Sequence, residues 1–131
     1  GRHLATWEEF QVRFCRFMHS DQRLQLCQRL IQMIAEARAA AIVERVIFGG
    51  SFVSARPEPH DFDCIVVLHA GTRYDTLQPF QRWVADTREA SRRYRGDIFV
   101  ARTDQSTFGL YCAFFAHNRE GREVGLVEVA L

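Results

Sequence analysis

Lysine occurs nowhere in the 131 residues, so every basic side chain is an arginine. Exclusive arginine fits a biased base composition as well as a preference for bidentate phosphate contacts, and it assigns no function. Paired cysteine motifs are missing too. Cys15, Cys27, Cys64 and Cys112 are scattered among apolar neighbours without a CxxC spacing, which predicts reduced, buried thiols of a cytoplasmic protein rather than a metal or disulfide framework. No apolar run approaches the roughly 20 residues that span a bilayer, and the start carries no signal-peptide pattern, so a soluble protein is expected. Net charge is almost nil, at 17 basic against 16 acidic residues. That balance excludes a whole-molecule field that would draw the chain onto nucleic acid or an anionic membrane, so partners must be recognised locally. Repeats, low-complexity tracts and linkers are absent. With 47% hydrophobic residues, the chain fits one domain over 1–131, long enough to bury about two thirds of its unfolded surface.

The layout follows from periodicity. Thr6 and Glu9 form a capping box, and Trp7, Phe10, Phe14, Phe17 and Met18 recur at helical spacing, which predicts a core-facing helix over 6–18. Ser20 or Asp21 caps a second helix reaching Ala40, with Leu24, Cys27, Leu30, Ile31, Ile34 and Ala37 as its apolar stripe and its arginines in water. Residues 44–48 and 62–69 read as strands, separated by a connection whose Pro57 and Pro59 forbid a long helix. A third helix begins at Asp75 or Thr76 and runs to Tyr94, where Gly96 ends it; Arg92, Arg93 and Arg95 there complement the helix dipole. GDIFVAR, 96–102, is a strand, 106–117 is apolar enough to be helix or strand, and a turn at 118–122 leads to a last strand over 123–130. The fold class is α/β (α+β), a small mixed β-sheet packed by helices. The final strand, VGLVEVAL, could present a free edge.

Chemistry concentrates in VIFGGSFVSARPEPHDFDCIVVL, residues 46–68. Residues two apart in a strand share a face, so Asp61 and Asp63 project together while Phe62 and Cys64 point into the core. Two carboxylates about 5 Å apart repel by roughly 1 kcal/mol in water and about 3 kcal/mol at an effective dielectric near 20. A domain stable by only about 5 to 15 kcal/mol does not carry that without compensation. A divalent cation is the simplest one, and oxygen-only ligands suit Mg²⁺ or Mn²⁺, which are commonly shared with substrate phosphates. The Gly49-Gly50-Ser51 corner offers backbone N–H groups and a hydroxyl to an anion, and Arg56 lies within reach of a phosphate. His60 and His69 bracket the strand without a ligand spacing, so a transition-metal site is not expected.

A Gly-Gly-Ser corner, a short connection and D-x-D inside an apolar strand resemble the signature of the nucleotidyltransferase superfamily, the DNA polymerase β-like fold, in its minimal single-domain form. HLATWEEF, the GGSFVSARPEPHDFD block and the closing NREGREVGLVEVAL are similar to a bacterial group of short nucleotidyltransferase-like proteins over nearly the whole length. The resemblance implies that Gly50 and Ser51 hold a nucleoside triphosphate, ATP first among them, with Gly49 shaping the turn. It implies that Asp61 and Asp63 bind two divalent ions. It also implies a third carboxylate on the following strand, where Asp97 stands as metal ligand and base. Minimal members act as antitoxins that modify a toxin with AMP, so a protein or small-molecule acceptor is implied, and a homodimer or hetero-complex to complete the site. Without a second domain or a basic groove, a nucleic-acid acceptor is not expected. The competing expectation is a non-catalytic module of the same fold that senses nucleotide or docks a protein. A metal-dependent phosphohydrolase ranks behind both, because it would not need the glycine corner.

Overall fold

The computed structural model describes residues 2–15, 21–49, 53, 61–117 and 125–131. Its elements run β1 (Arg2–Ala5), α1 (Trp7–Phe14), α2 (Asp21–Ala40), β2 (Val43–Gly49), β3 (Asp63–Leu68), α3 (Pro79–Ala85), α4 (Thr87–Tyr94), β4 (Asp97–Arg102), α5 (Ser106–Phe115) and β5 (Leu126–Ala130). The strands form one mixed sheet in the order β1-β5-β2-β3-β4. β1 and β5 are parallel, as are β3 and β4, whereas β2 is antiparallel to both of its neighbours. This bears out a mixed sheet packed by helices.

Helices α1 to α4 cover one face. Trp7, Phe10 and Phe14 of α1 meet Leu30, Met33 and Ile34 of α2, Val84 of α3 and Tyr94 of α4 over Phe48, Phe62, Cys64 and Val66 of the sheet. Helix α5 covers part of the other face, where Phe115 and the flanking Phe108 and Tyr111 pack on Ile47, Ile65, Val67 and Leu126. Cover on both sides explains why β3 is buried from Cys64 to Leu68 instead of alternating. The capping box at Thr6 is present, with the Glu9 amide donating to Thr6 Oγ1 at 3.0 Å.

Several expectations need correction. Helix α1 stops at Phe14, and 16–20 lie outside the described residues. In α2 the buried stripe is Leu26, Cys27, Leu30, Met33, Ile34 and Ala37, while Leu24 and Ile31 are exposed. Arg23 does not face water: it is 1% exposed, and its guanidinium donates to the Phe14 carbonyl at 3.0 Å. That places a strong donor on one of the carbonyls the end of a helix leaves unsatisfied. Cys15 and Cys27 are joined as a disulfide with a Cα separation of 5.6 Å, so the reduced state expected of all four cysteines holds only for Cys64 and Cys112. The fold brings the α1 terminus over α2, a proximity that spacing alone does not give.

The single helix expected up to Tyr94 is broken. A 3-10 turn spans Tyr74–Thr76, and α3 and α4 meet at Asp86, which is extended (φ −124°, ψ 125°) and accepts from the Glu89 amide at 2.9 Å. Aspartate is a strong N-cap, and here it overrides the continuing apolar period. Of the arginines closing α4, Arg93 is held by partners rather than solvated. Arg93 makes two 2.9 Å hydrogen bonds to Glu36 and lies 3.8 Å from the Trp83 ring centroid. Segment 106–117 is mainly helix α5. β1 escapes sequence reading because four residues carry little periodicity and their partner, β5, is distant in the chain. The turn expected at 118–122 lies outside the described residues, and the last strand begins at Leu126. That strand has no free edge: β5 lies between β1 and β2. The edges are β1 and β4, and β4 is sealed by α4. Ser91 Oγ accepts from the Ile98 amide at 3.1 Å and donates to the Ile98 carbonyl at 3.0 Å, while Thr87 Oγ1 accepts from the Val100 amide at 3.0 Å.

Candidate functional site

Strands β3 and β4 run parallel in a register that sets Asp63 directly beside Asp97, and β2 sets Gly49 on the other side of Asp63. Paired residues point to the same face, here the α5 side, where Ile47, Ile65 and Leu126 also lie. Asp61 precedes the first residue of β3 instead of lying within the strand, yet it joins the group. One carboxylate oxygen from each of Asp61, Asp63 and Asp97 lies within 4.8 Å of the others, with Asp61 and Asp63 half-buried and Asp97 exposed. Phe62 and Cys64 are fully buried on the opposite face, as alternation predicted.

The electrostatics follow from this crowding. Burial first, then the Asp61 charge, then a hydrogen bond and charge repulsion from Asp97, push the Asp63 carboxyl up to about 7. Near neutral pH it is therefore partly protonated, and its proton bridges to the Asp97 carboxylate. A cation is the alternative to that proton, because either one removes the repulsion among three acids. The donor set is entirely oxygen, which fits Mg²⁺ or Mn²⁺ and excludes the soft-ligand sites of zinc or copper(I).

Glycines shape both flanks. Gly49 is the last residue of β2, not a turn residue, and a Cβ there would stand 3.2 Å from both Leu126 Cδ2 and Phe115 Cδ2. Its bare backbone lets α5 close down beside Asp63. Gly50, Ser51, Arg56 and His60 lie outside the described residues. His69 sits just past the far end of β3 from Asp63, 3.7 Å from Glu44, and does not join the carboxylates. A cavity of about 480 Å³, lined by Thr6, Arg45 and Glu128 among others, opens at that far end as well. Arg45 and Glu128 already pair there at 2.6 Å, so it is the carboxylate trio, away from the cavity, that presents converging ligand atoms. The interlock of Phe62 with Gly96, described below, was missed by sequence reasoning; its one signal was a glycine immediately before Asp97.

The described residues thus define a class: a mixed α/β protein whose five-stranded sheet gathers three carboxylates at the start of two parallel strands. The chain belongs to DUF6932, a family of unknown function, whose model matches residues 1–130. No curated protein and no solved structure matches it. Among the described residues no helix is long and apolar enough to cross a membrane.

Proposed function

We propose that this protein is a metal-dependent nucleotidyltransferase with a nucleotidyltransferase-like fold, moving a nucleoside monophosphate, AMP from ATP as the first candidate, onto a hydroxyl of a protein or small molecule. The observation that carries the reading is the convergence of Asp61, Asp63 and Asp97 within 4.8 Å, two from one strand region and one from its parallel neighbour. This is the constellation that the sequence motif implies. Gly49 beside Asp63 supports it too, because the chain leaves β2 there into Gly50 and Ser51, which the resemblance assigns to the triphosphate; Arg56, between that corner and the aspartates in sequence, is a further candidate for a phosphate.

Asp61, Asp63 and Asp97 would hold Mg²⁺ or Mn²⁺, which when bound offsets charge on the phosphoryl oxygens and acidifies an acceptor hydroxyl. The remaining work is positioning. The acceptor oxygen forms a bond to the α-phosphorus, the bond from that phosphorus to the bridging oxygen breaks, and pyrophosphate leaves in line. Asp97, the most exposed of the three carboxylates, takes the hydroxyl proton. A second copy or the acceptor protein completes the walls of the site. A toxin protein modified by AMP is one such acceptor.

A second reading, a non-catalytic module that senses nucleotide or docks a protein, draws support from α5. That helix has no charged residue, and Leu110 and Phe114 are 67% and 71% exposed. Turnover separates the two. ATP, GTP, CTP and UTP are each tested with Mg²⁺ or Mn²⁺ for thermal stabilisation and, with acceptor candidates, for pyrophosphate release. A nucleotide at a hundredfold its Kd adds about 2.7 kcal/mol, or on the order of 10 °C here. The enzyme reading expects a metal-dependent shift that an Asp61→Asn, Asp63→Asn double variant loses, followed by pyrophosphate release. Stabilisation without release in any acceptor screen favours the nucleotide-sensing module, and no shift with any nucleotide refutes the enzyme reading and leaves a protein-docking module.

A further inference from the structure

We propose that Gly96 and Phe62 act together as a positioning device that fixes the Asp97 carboxylate against Asp63. Its consequence for metal binding rests on the three-carboxylate reading above.

Gly96 lies between α4 and β4, where the sequence gives it the look of a helix-terminating glycine. The structure uses it differently. The left-handed residue that closes α4 is Arg95 (φ 55°), whose amide donates to the Ser91 carbonyl at 3.0 Å, and among the described glycines only Gly71 has a positive φ. Backbone freedom is therefore not what position 96 needs. It needs space: a Cβ there would stand 2.6 Å from Cε2 and Cζ and 2.9 Å from Cε1 of Phe62, distances that real Cβ atoms do not reach. The ring cannot swing aside, because Phe62 is fully buried within the core formed with α1, α2 and α4.

Phe62 grips the same segment a second time. Its carbonyl accepts from the Asp97 amide at 3.0 Å. Ring tip against Gly96 and carbonyl against Asp97 thus hold two consecutive residues to the one that separates Asp61 from Asp63. Without this, the first residue of an edge strand would fray, and Asp97 is exposed and lies on such an edge. Downstream, Ser91 and Thr87 hold Ile98 and Val100 independently. A side chain at 96 therefore pushes the start of β4 away from β3 while leaving the rest of the strand in place. Gly96 and Phe62 are positioning residues: neither offers a ligand atom, and both decide where one stands.

The test uses the full chain as wild type, Gly96→Ala, Phe62→Leu and the double variant, with two readouts. Crystal structures without metal measure the Asp63 to Asp97 Cα separation, and titration with Mn²⁺ alone, followed by electron paramagnetic resonance, gives its Kd. Gly96→Ala is expected to widen the separation by about 1 Å and to weaken Mn²⁺ binding about 10-fold or more, as loss of outer support for a ligand does. Phe62→Leu removes the ring atoms that the new methyl group meets, so the double variant should return both readouts towards those of Phe62→Leu alone. If Gly96→Ala does not fold, that comparison decides by itself. An unmoved Asp97 in Gly96→Ala, or a double variant that binds Mn²⁺ no better than Gly96→Ala, overturns the proposal. Failure of the wild type to bind Mn²⁺ sinks the metal reading instead, and the crystallographic separation still decides whether Gly96 positions Asp97.

Discussion

Replacing Asp63 with asparagine should stabilise the metal-free protein above neutral pH and leave it unchanged in acid. Asparagine keeps the shape and a donor for the Asp97 carboxylate while removing the central charge of the trio. With the ligand oxygens within 4.8 Å, one pair of like charges costs about 0.9 kcal/mol in water and about 3.5 kcal/mol at an effective dielectric of 20. Because Asp63 is half-buried and Asp97 exposed, solvent screening brings the expected gain to about 1–2 kcal/mol, or about 3–8 °C for a chain of this length. The direction with pH follows from the raised carboxyl. An unfolded aspartate loses its proton near pH 3.9, whereas Asp63 in the folded state holds it up to about 7. Below both values this group costs nothing. Between them the unfolded state gives up the proton first, so stability falls as pH rises, and above about 7 the full cost is present. Melting curves with chelator at about pH 5 and about pH 8 should therefore show a small gap between variant and wild type at the lower pH, which lies only about one unit above the unfolded value, and the full gap at the higher. Added Mn²⁺ should raise the wild type alone. Equal melting at the higher pH, or the same gain at both, would refute the reasoning.

Three other substitutions probe the frame around the site. Arg93→Ala removes the twin hydrogen bonds to Glu36 and the stacking on Trp83, and should cost about 1–2 kcal/mol in denaturant titration. Arg93 holds the Glu36 carboxyl below its usual range, so its stabilisation is present near neutral pH and shrinks as pH falls towards the Glu36 value; the variant should close on wild type in acid. Ser91→Ala strips the partner from both backbone groups of Ile98 on the β4 edge, with an expected loss of about 1–3 kcal/mol and faster aggregation by light scattering. Gly49→Ala brings a methyl group to 3.2 Å from Phe115 and Leu126, so α5 must shift slightly, at a cost of about 1 kcal/mol in thermal melts.

Local chemistry made much of the protein readable in one dimension. The Thr6–Glu9 cap, the aromatic period of α1, the long amphipathic α2 and the apolar core of β3 are short-range patterns, and each forms close to where it was expected. The pair Asp61 and Asp63 was legible from its two-residue spacing beside an apolar strand, although Asp61 stands just before β3 and not within it. Asp86 shows the limit of periodicity: a helical stripe continues through it, but one capping side chain splits the helix. Leu24 and Ile31 show another, because an apolar residue within an amphipathic pattern faces the core only if a neighbour arrives to cover it. Tertiary structure alone decided the rest. It inserted β5 between β1 and β2, brought Cys15 to Cys27, and set Asp97 in register with Asp63 across a parallel pair separated by two helices. These are contacts between residues distant in the chain, fixed by which faces the whole sheet must bury, and no local preference encodes them.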